Sequence, residues 1–230
     1  MAKARTTAFF CKECGYESSK WMGQCPACKA WNSMVEEPVS KPAGSQAGLG
    51  RLASGSQKSP VPAARPSLLS EIDIEEQDRI STGFGELDRV LGDGIVAGSL
   101  VLVGGDPGIG KSTLLLQVCR NLAGAGQRVL YISGEESLKQ IKMRANRIGP
   151  VTGELKFLCE TSLEHIERAI DAENPQIAVI DSIQTMYREE ISSAPGSVSQ
   201  VRESTGILMQ IAKSRGIAIF VVGHVTKEGV

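Results

Sequence analysis

The sequence predicts an α/β fold in which a mainly parallel sheet lies between helices, preceded by a small module that four cysteines hold around a metal ion. Three observations support this prediction. Strand-like and helix-like segments alternate from about residue 68 onward, several of the strand-like segments are unbroken apolar runs, and four of the six cysteines lie between positions 11 and 28. Unbroken apolar strands are buried on both faces, which is typical of parallel sheets covered by helices.

The composition restricts the classes to which the protein can belong. The chain has 230 residues, 41% of them hydrophobic, which is enough for one medium-sized domain and a smaller module. Its formal net charge is -1, so any surface that binds nucleic acid must be local. No apolar run is long enough to span a membrane, and the first residues lack the apolar core of a signal peptide. We therefore expect a cytoplasmic protein without membrane contact.

The first region, residues 1–35, contains two Cys-x-x-Cys pairs, Cys11 with Cys14 and Cys25 with Cys28. Each pair lets two thiolates converge from one tight turn, and two such turns complete a tetrahedron around one ion. Zinc in a closed structural site is the preferred interpretation, and iron in a rubredoxin-like site is the alternative with similar ligand geometry. A disulfide is disfavoured because the expected compartment is reducing. We expect so small a module to fold only with its metal.

Two tryptophans and three lysines surround these cysteines: Trp21, Trp31, Lys12, Lys20 and Lys29. One interpretation is that the indoles stack on bases of a nucleic acid while the lysines contact its phosphates. The other is that the tryptophans form the small core of the module and the lysines its solvated face. The sequence favours neither.

The second region, residues 36–67, is predicted to be a flexible linker. It is rich in Pro, Gly, Ser and Ala and contains no aromatic residue. Such a segment cannot bury enough apolar surface to offset the entropy of ordering it. The third region, residues 68–230, is therefore expected to be a separate α/β domain.

Five strands and four helices are predicted in this third region. The strands are Leu100–Val103, Arg128–Ser133, Leu155–Cys159, Ile177–Asp181 and Ile217–Val222. The helices between them are about Lys111–Ala123, Ser137–Ile148, Leu163–Glu173 and Val198–Ser214. The isolated Cys119 and Cys159 lie in apolar segments and are expected to fill core space. Ligands of such sheets bind at the carboxyl ends of the strands, so the residues that end each strand are the candidates for a functional site.

The strongest motif lies between the first of these strands and the helix that follows it. The stretch from Gly105 to Ser112 matches G-x-x-x-x-G-K-[ST] at every fixed position. A strand, a glycine loop and a helix in this order direct backbone N–H groups at one point, which binds phosphate. Lys111 is expected to reach the β- and γ-phosphates of ATP and the Ser112 hydroxyl to bind Mg²⁺. The expected nucleotide-binding residues are Gly105, Asp106, Pro107, Gly108, Ile109, Gly110, Lys111, Ser112 and Thr113.

Three other strand ends carry polar residues suited to the hydrolysis of a triphosphate. Asp181 ends a buried strand and is expected to support Mg²⁺. Glu135 is the preferred carboxylate for orienting an attacking water, although Glu136 or Ser137 beside it can instead cap the next helix. His224 ends the last strand, where it can contact the γ-phosphate or serve only the structure. With Lys111, these residues are the catalytic candidates.

Taken together, these motifs resemble the RadA (Sms) family of bacterial DNA-repair ATPases, which is related to RecA. The resemblance covers the whole chain. It is carried by the four-cysteine finger with Trp-Met-Gly-Gln before Cys25, by residues 81–92 and by the phosphate loop. Four shorter motifs add to it: Ser133-Gly-Glu-Glu-Ser137, Val179-Ile-Asp-Ser-Ile-Gln184, Ala194-Pro-Gly-Ser-Val198 and Gly223-His-Val-Thr-Lys227.

The resemblance implies a RecA-like core that forms a homo-oligomeric ring, expected to be a hexamer, and binds ATP between neighbours. It also implies a DNA-dependent ATPase that holds single-stranded DNA and drives branch migration of branched DNA in recombinational repair, with a recombinase as a possible partner. Glu135 matches the catalytic glutamate of the family, and His224 the residue that senses the nucleotide. Residues 187–196 fall where the family has a DNA-facing loop, although their mixed charge argues against Arg188 gripping phosphates.

The family also carries a Lys-Asn-Arg-Phe-Gly motif and a protease-like domain beyond the position of Val230, so the resemblance implies an N-terminal fragment whose own hydrolysis is uncertain. Two alternatives stay open. A KaiC-like signalling ATPase has a similar Gly-Glu-Glu segment but does not need the cysteine finger. A binding module would use ATP to fix a conformation and the finger to dock a partner, without turnover. A DnaB-type helicase is close in its core motifs but has a helical N-terminal domain.

Overall fold

The computed structural model describes residues 7–11, 16–27, 29–38, 68, 79–151, 153–191 and 193–224. Two of the four predicted metal ligands, Cys14 and Cys28, lie outside the described residues, and so does the predicted linker beyond Pro38. The described residues form a small antiparallel sheet near the N-terminus and a larger parallel sheet covered by helices.

The N-terminal unit, called the ribbon below, has three short strands. They are β1 (Thr7–Cys11), β2 (Glu17–Ser18) and β3 (Met34–Pro38), which pair antiparallel in the order β2-β1-β3. Its buried centre consists of Cys11, Cys25 and Met34, against which Phe9 and Met22 pack. Strand β3 extends three residues past the boundary at residue 35 that the sequence predicts.

A short hairpin and a short helix precede the main sheet. Strands β4 (Arg79–Ile80) and β5 (Ile95–Val96) pair antiparallel on either side of helix α1 (Gly85–Val90). The Asp88 carboxylate in α1 accepts hydrogen bonds from the Ser81 hydroxyl (2.6 Å) and from the backbone N–H (2.8 Å) and hydroxyl (2.6 Å) of Thr82. These three bonds fasten the start of the domain to α1.

Five parallel strands form the main sheet. They are β6 (Leu100–Gly105), β7 (Val129–Ser133), β8 (Leu155–Cys159), β9 (Ile177–Asp181) and β10 (Ala218–His224). Their order across the sheet is β6-β10-β9-β7-β8. Residues of β7 and β9 are buried throughout and those of β6 and β8 only in part, because the last two lie at the edges. The predicted parallel sheet is confirmed.

Helices cover both faces of this sheet. They are α2 (Lys111–Gly124), α3 (Leu138–Ile148), α4 (Leu163–Glu173) and α5 (Val198–Arg215). Residues of α2 and α3 share one buried apolar cluster with alternate residues of the strands, and residues of α4 and α5 share another with the remaining ones. The predicted helices agree with these bounds to within one residue at each end.

The two isolated cysteines differ in exposure. Cys119 is fully buried, as predicted, and burial raises the pKa of its thiol. The prediction for Cys159 is wrong, because this residue is exposed. It ends the edge strand β8, where its thiol donates to the Glu136 carbonyl at 3.1 Å. Among the described helices, none combines the length and apolar character that a membrane crossing requires.

Candidate nucleotide-binding site

The loop between β6 and α2 has the backbone of a phosphate cradle. Gly108 and Gly110 have φ angles of 81° and 103°, which side-chain-bearing residues rarely adopt. Gly110 precedes the first residue of α2, and no side chain caps that helix end. Since the first N–H groups of a helix have no partner within it, those of α2 point outward and can bind an anion. Residues 106–110 of the loop are exposed, so a ligand can reach them.

Lys111 lies directly under this loop and is only 7% exposed. Its ammonium donates to the carbonyl oxygens of Gly105 (2.7 Å) and Asp106 (3.0 Å). The same nitrogen is 3.4 Å from Nδ1 of His224. Carbonyl oxygens do not neutralise a positive charge, so Lys111 brings a cation to the place where phosphates would bind.

The order of strands brings the other predicted residues to the same edge. His224 pairs with Gly105 across β10 and β6, and Ser133 pairs with Asp181 across β7 and β9. Strands β10 and β9 are neighbours in the middle of the sheet. The ends of four adjacent strands therefore contribute the phosphate loop, His224, Asp181 and the Gly-Glu-Glu segment that starts at Gly134.

Glu135 is at the centre of a hydrogen-bonded cluster. Its Oε1 accepts a hydrogen bond from the Ser182 hydroxyl and lies 3.2 Å from Nε2 of His224. Partial burial acts to raise the pKa of Glu135, but the hydrogen bonds from Ser182 and His224 and the positive charge of Lys111 outweigh it and lower the pKa. The carboxyl is therefore ionised at neutral pH, which suits a group that accepts a hydrogen bond from water.

Glu136, the neighbouring acid, points elsewhere. Its carboxylate forms an ion pair with Arg144 on α3, and its backbone N–H donates to the Ser133 hydroxyl at 3.0 Å. Ser137, not Glu136, caps α3, through a capping box with Gln140. The sequence left open which of these three residues faces the site and which ones stabilise the next helix. In the structure, Glu135 faces the phosphate loop, while Glu136 and Ser137 contact residues of α3.

Asp181 is buried at the end of β9 and accepts a hydrogen bond from the Tyr131 hydroxyl. Burial and the negative charge of Asp181 both raise the pKa of Tyr131, so this phenol stays protonated and remains a donor. Carboxylate and hydroxyl oxygens, such as those of Asp181 and Ser112, are the hard donors that Mg²⁺ prefers.

Three residues of the cluster were not singled out from the sequence: Tyr131, Ser182 and Gln184. The Gln184 amide donates to the His224 carbonyl at 3.4 Å. Ser182 could have been found because it directly follows Asp181 at a strand end. Gln184 ends one of the motifs that carry the family resemblance, but no local signal predicts the contact that it or Tyr131 makes, because their partners lie 40 and 50 residues away in the chain.

The ribbon offers a second candidate site. Cys11 and Cys25 come from its two cysteine pairs and are 1% and 0% exposed in the same small cluster. The Sγ of Cys11 is 3.2 Å from the Ser33 hydroxyl, and the Cys25 carbonyl accepts from the Lys29 N–H at 2.8 Å, which closes a tight turn. Buried sulfur donors brought together by such turns fit a zinc ion.

Comparison with known proteins agrees with both sites. The AAA domain family matches residues 64–230, and a family described as a rubredoxin metal binding domain matches residues 9–36. The chain is 56% identical over 229 residues to the DNA repair protein RadA of Halalkalibacterium halodurans, and 56% identical over 230 residues to that of Bacillus subtilis. It is 50% identical over 229 residues to RadA of Escherichia coli.

Each of these alignments includes all of this chain and 48% or 49% of the relative, so the chain spans about half the length of the curated relatives it matches. The AAA match contains the phosphate loop and every strand of the parallel sheet, and the rubredoxin match contains both cysteine pairs. The resemblance that the motifs predicted is confirmed: the chain belongs to the AAA domain family and is similar along its whole length to the DNA repair protein RadA of bacteria.

Proposed function

We propose that the protein is a DNA-dependent ATPase of recombinational DNA repair. The observation that carries the proposal is the convergence of Lys111, Glu135, Asp181 and His224 around one glycine loop at the carboxyl edge of the sheet. This combination supplies a cation for the phosphates, an ionised carboxylate for water and an acid for a metal ion, which are the groups that hydrolysis of a triphosphate needs. The similarity to RadA supports DNA repair as the setting.

In the proposed mechanism the phosphates of ATP lie against the N–H groups of the loop and of the first turn of α2. Lys111 gives up its two carbonyl contacts to bind the β- and γ-phosphates. Bound Mg²⁺ would neutralise charge on the phosphate oxygens, with Ser112 and Asp181 as the residues that hold it. Glu135 accepts a hydrogen bond from water and orients it toward the γ-phosphate. His224, which contacts both Lys111 and Glu135, is placed to respond to the γ-phosphate.

The remaining parts of the proposal rest on the similarity to RadA. Zinc held by Cys11, Cys14, Cys25 and Cys28 would fold the ribbon. The ATPase core would assemble into a ring, with a hexamer as the expected form, and bind single-stranded DNA in its channel. Hydrolysis would then drive branch migration of branched DNA in the cytoplasm, in cooperation with a recombinase. The division into a ribbon (residues 1–35), a linker (36–67) and a core (68–230) remains a proposal as well.

Steady-state ATP hydrolysis by the purified chain, with and without single-stranded DNA, tests this function. We expect Lys111→Ala to abolish turnover and Glu135→Gln to lower kcat by about 10²- to 10⁴-fold with ATP binding retained. Glu136→Gln is the matched control, because it removes the neighbouring carboxylate, which faces Arg144, and should leave kcat within a few-fold of wild type.

Three results would count against the proposal. Unchanged turnover in Lys111→Ala would remove the nucleotide site from this loop. Turnover that DNA stimulates neither in this chain nor in full-length RadA of Bacillus subtilis, measured alongside, would favour a KaiC-like signalling ATPase. Tight ATP binding without turnover in either protein would favour the ATP-gated binding module.

A further inference from the structure

The ribbon exposes both tryptophans of the chain. Trp21 and Trp31 are 58% and 73% exposed, whereas the buried centre of the ribbon is made by Cys11, Cys25 and Met34. The interpretation in which the tryptophans form this centre is therefore wrong. Exposure of two large apolar side chains to water is unfavourable. The buried centre of the ribbon described above does not include them, so packing of the ribbon does not explain why they are there.

The two indoles converge on one point of the backbone. A Cβ atom placed on Gly23 would lie 3.7 Å from Cη2 of Trp21 and 3.9 Å from Cζ3 of Trp31. A methyl group at residue 23 would therefore be in van der Waals contact with both rings, and a larger side chain there would compete with a base for their faces. The backbone around it is fixed: the Asn32 N–H donates to the Gly23 carbonyl at 2.8 Å, and Gln24 forms a β-bridge with Trp31.

The surroundings of this pair are basic and polar. Residues 19–32 contain two lysines, Lys20 and Lys29, and no acidic residue. Both lysines are exposed. The backbone of Lys29 is held in place by its N–H, which donates to the Cys25 carbonyl (2.8 Å), and by its carbonyl, which accepts from the Gln24 side chain (2.9 Å).

A protein-docking surface is less compatible with this composition, because the core of such a surface is depleted of lysine and contains other apolar residues. Here the other exposed residues in the described part of 19–32 are five polar or charged residues, Ser19, Lys20, Gln24, Lys29 and Asn32, and two small apolar residues, Pro26 and Ala27. Flat aromatic faces beside lysines match single-stranded nucleic acid, whose unpaired bases stack on aromatic rings while its phosphates pair with cations.

We propose that Trp21, Trp31 and the backbone at Gly23 form a stacking site for the bases of single-stranded DNA, with Lys20 and Lys29 contacting the flanking phosphates. This inference rests on the proposed function, because it names a contact with the same strand that the ATPase would act on. Stacking does not discriminate between bases, so the site should bind unpaired DNA of any sequence. It should not bind duplex DNA, whose bases already stack on each other.

The chain contains two tryptophans, both in this site, so its intrinsic tryptophan fluorescence reports on the site alone. Titration of the zinc-loaded chain with a thymidine oligonucleotide should quench this fluorescence. An abasic oligonucleotide of the same length has the phosphates without the bases and should not quench it. Binding of a labelled thymidine oligonucleotide, followed by anisotropy, should weaken about tenfold in Trp21→Ala or Trp31→Ala.

The variants separate stacking from folding. Trp31→Phe keeps an aromatic ring and should recover much of the affinity. Gly23→Leu places a bulky side chain against both rings and should weaken binding although both indoles remain. Tyr16→Ala removes an exposed aromatic residue of the ribbon outside residues 19–32 and should leave the affinity unchanged. Each variant must retain the zinc content of wild type.

Two outcomes would overturn the inference. If anisotropy shows binding of the oligonucleotide but the fluorescence does not change, or changes equally with the abasic strand, the indoles do not stack on bases. If the indoles become shielded only when the chain associates with another protein, the surface is a protein contact. DNA-stimulated hydrolysis in either case would leave the proposed function standing, whereas its absence together with absent oligonucleotide binding would refute both.

Discussion

Ser182 connects the two acidic positions of the candidate nucleotide site. It follows Asp181 directly in the chain, is completely buried, and donates its hydroxyl to Glu135 at the end of the neighbouring strand. Glu135 itself is well exposed, and its other partner, His224, lies across the site. The hydroxyl of Ser182 is thus the contact to Glu135 that does not depend on a titrating group.

We predict that Ser182→Ala raises the pKa of Glu135. The hydrogen bond from Ser182 stabilises the ionised carboxylate, so its loss moves the pKa back toward the ordinary value of a glutamate. If the ionised form orients water, activity is present above this pKa and lost as the pH falls through it. The acid limb of the kcat–pH profile should therefore shift to higher pH, while the rate at alkaline pH stays closer to that of wild type.

Ser99→Ala is a suitable control for this experiment. The Ser99 hydroxyl is buried and, within the described part of the chain, has no hydrogen-bond partner. Its removal also deletes a buried oxygen but touches nothing in the site, so the profile should not move. A profile of Ser182→Ala that coincides with wild type would mean that Glu135 is not the group whose ionisation limits the rate.

Residues were predictable from the sequence where their role depends on spacing along the chain. Lys111 and Ser112 follow from the loop pattern, and Glu135 and Asp181 from their positions at strand ends. The contacts that tune them, including the contact between the predicted His224 and Glu135, were not predictable in this way. Ser182 and Glu135 are 47 residues apart, and His224 and Glu135 are 89 apart. Only the strand order β6-β10-β9-β7 brings them together, and no local pattern in the sequence encodes that order.

At the scale of elements, the first turn of α5 organises the loop before it. Gln200 is 1% exposed, and both the nitrogen and the oxygen of its side-chain amide form hydrogen bonds. Its nitrogen donates to the carbonyls of Arg188 (3.2 Å), Ile191 (3.2 Å) and Ser193 (3.0 Å), and its oxygen accepts from the Arg188 N–H at 2.9 Å. The two N–H groups of the amide are shared among three carbonyls, so one side chain contacts four backbone groups of residues 188–193, the segment where the family resemblance expects DNA.

We predict that Gln200→Leu loosens this loop without unfolding the domain. Leu fills a similar volume but removes a partner of the Arg188 N–H and of the Ile191 and Ser193 carbonyls, which costs about 1–3 kcal/mol for each group that water cannot reach. Limited proteolysis should cut the variant between Arg188 and Ser193 much faster than wild type, and DNA stimulation of hydrolysis should fall more than basal hydrolysis. Gln210→Leu, on the exposed side of the same helix, is the control and should behave as wild type. Equal protease resistance in all three proteins would contradict the assignment.

The elements that the sequence predicted well are those whose apolar pattern is long. Strands β7, β9 and β10 read as continuous apolar runs because they are buried on both faces, and the amphipathic α4 was predicted with the bounds that the structure has. Helix α1 was missed. It has six residues and none of them is buried, so no apolar period marks it. The hydrogen bonds from Ser81 and Thr82 to Asp88 stabilise this helix. No sequence pattern predicts these bonds, because they form only when the chain folds back on itself.

At the scale of the whole molecule, the chain has two centres of stability of different origin. The α/β core buries two extensive apolar clusters, one on each face of its sheet. Among the described residues of the ribbon, the buried cluster has three members, two of which are cysteines. An apolar centre of this size offsets little of the ribbon's conformational entropy, so we expect its folding free energy to come largely from metal binding.

We predict that removal of zinc unfolds the ribbon and leaves the core intact. A zinc-selective chelator, or the variant Cys11→Ser, should shift the tryptophan emission to longer wavelength, because both tryptophans lie in the ribbon and their attachment to a fixed backbone is lost. The thermal unfolding midpoint of the core and its affinity for ATP, measured with Mg²⁺ in excess, should stay as in the zinc-loaded chain.

Cys119→Ala is the control, because it changes a fully buried cysteine of the core. It should lower the unfolding midpoint of the core and leave the tryptophan emission unchanged. If chelation instead lowered ATP affinity, the ribbon and the core would be thermodynamically coupled, and the predicted linker between them could not act as a flexible separator.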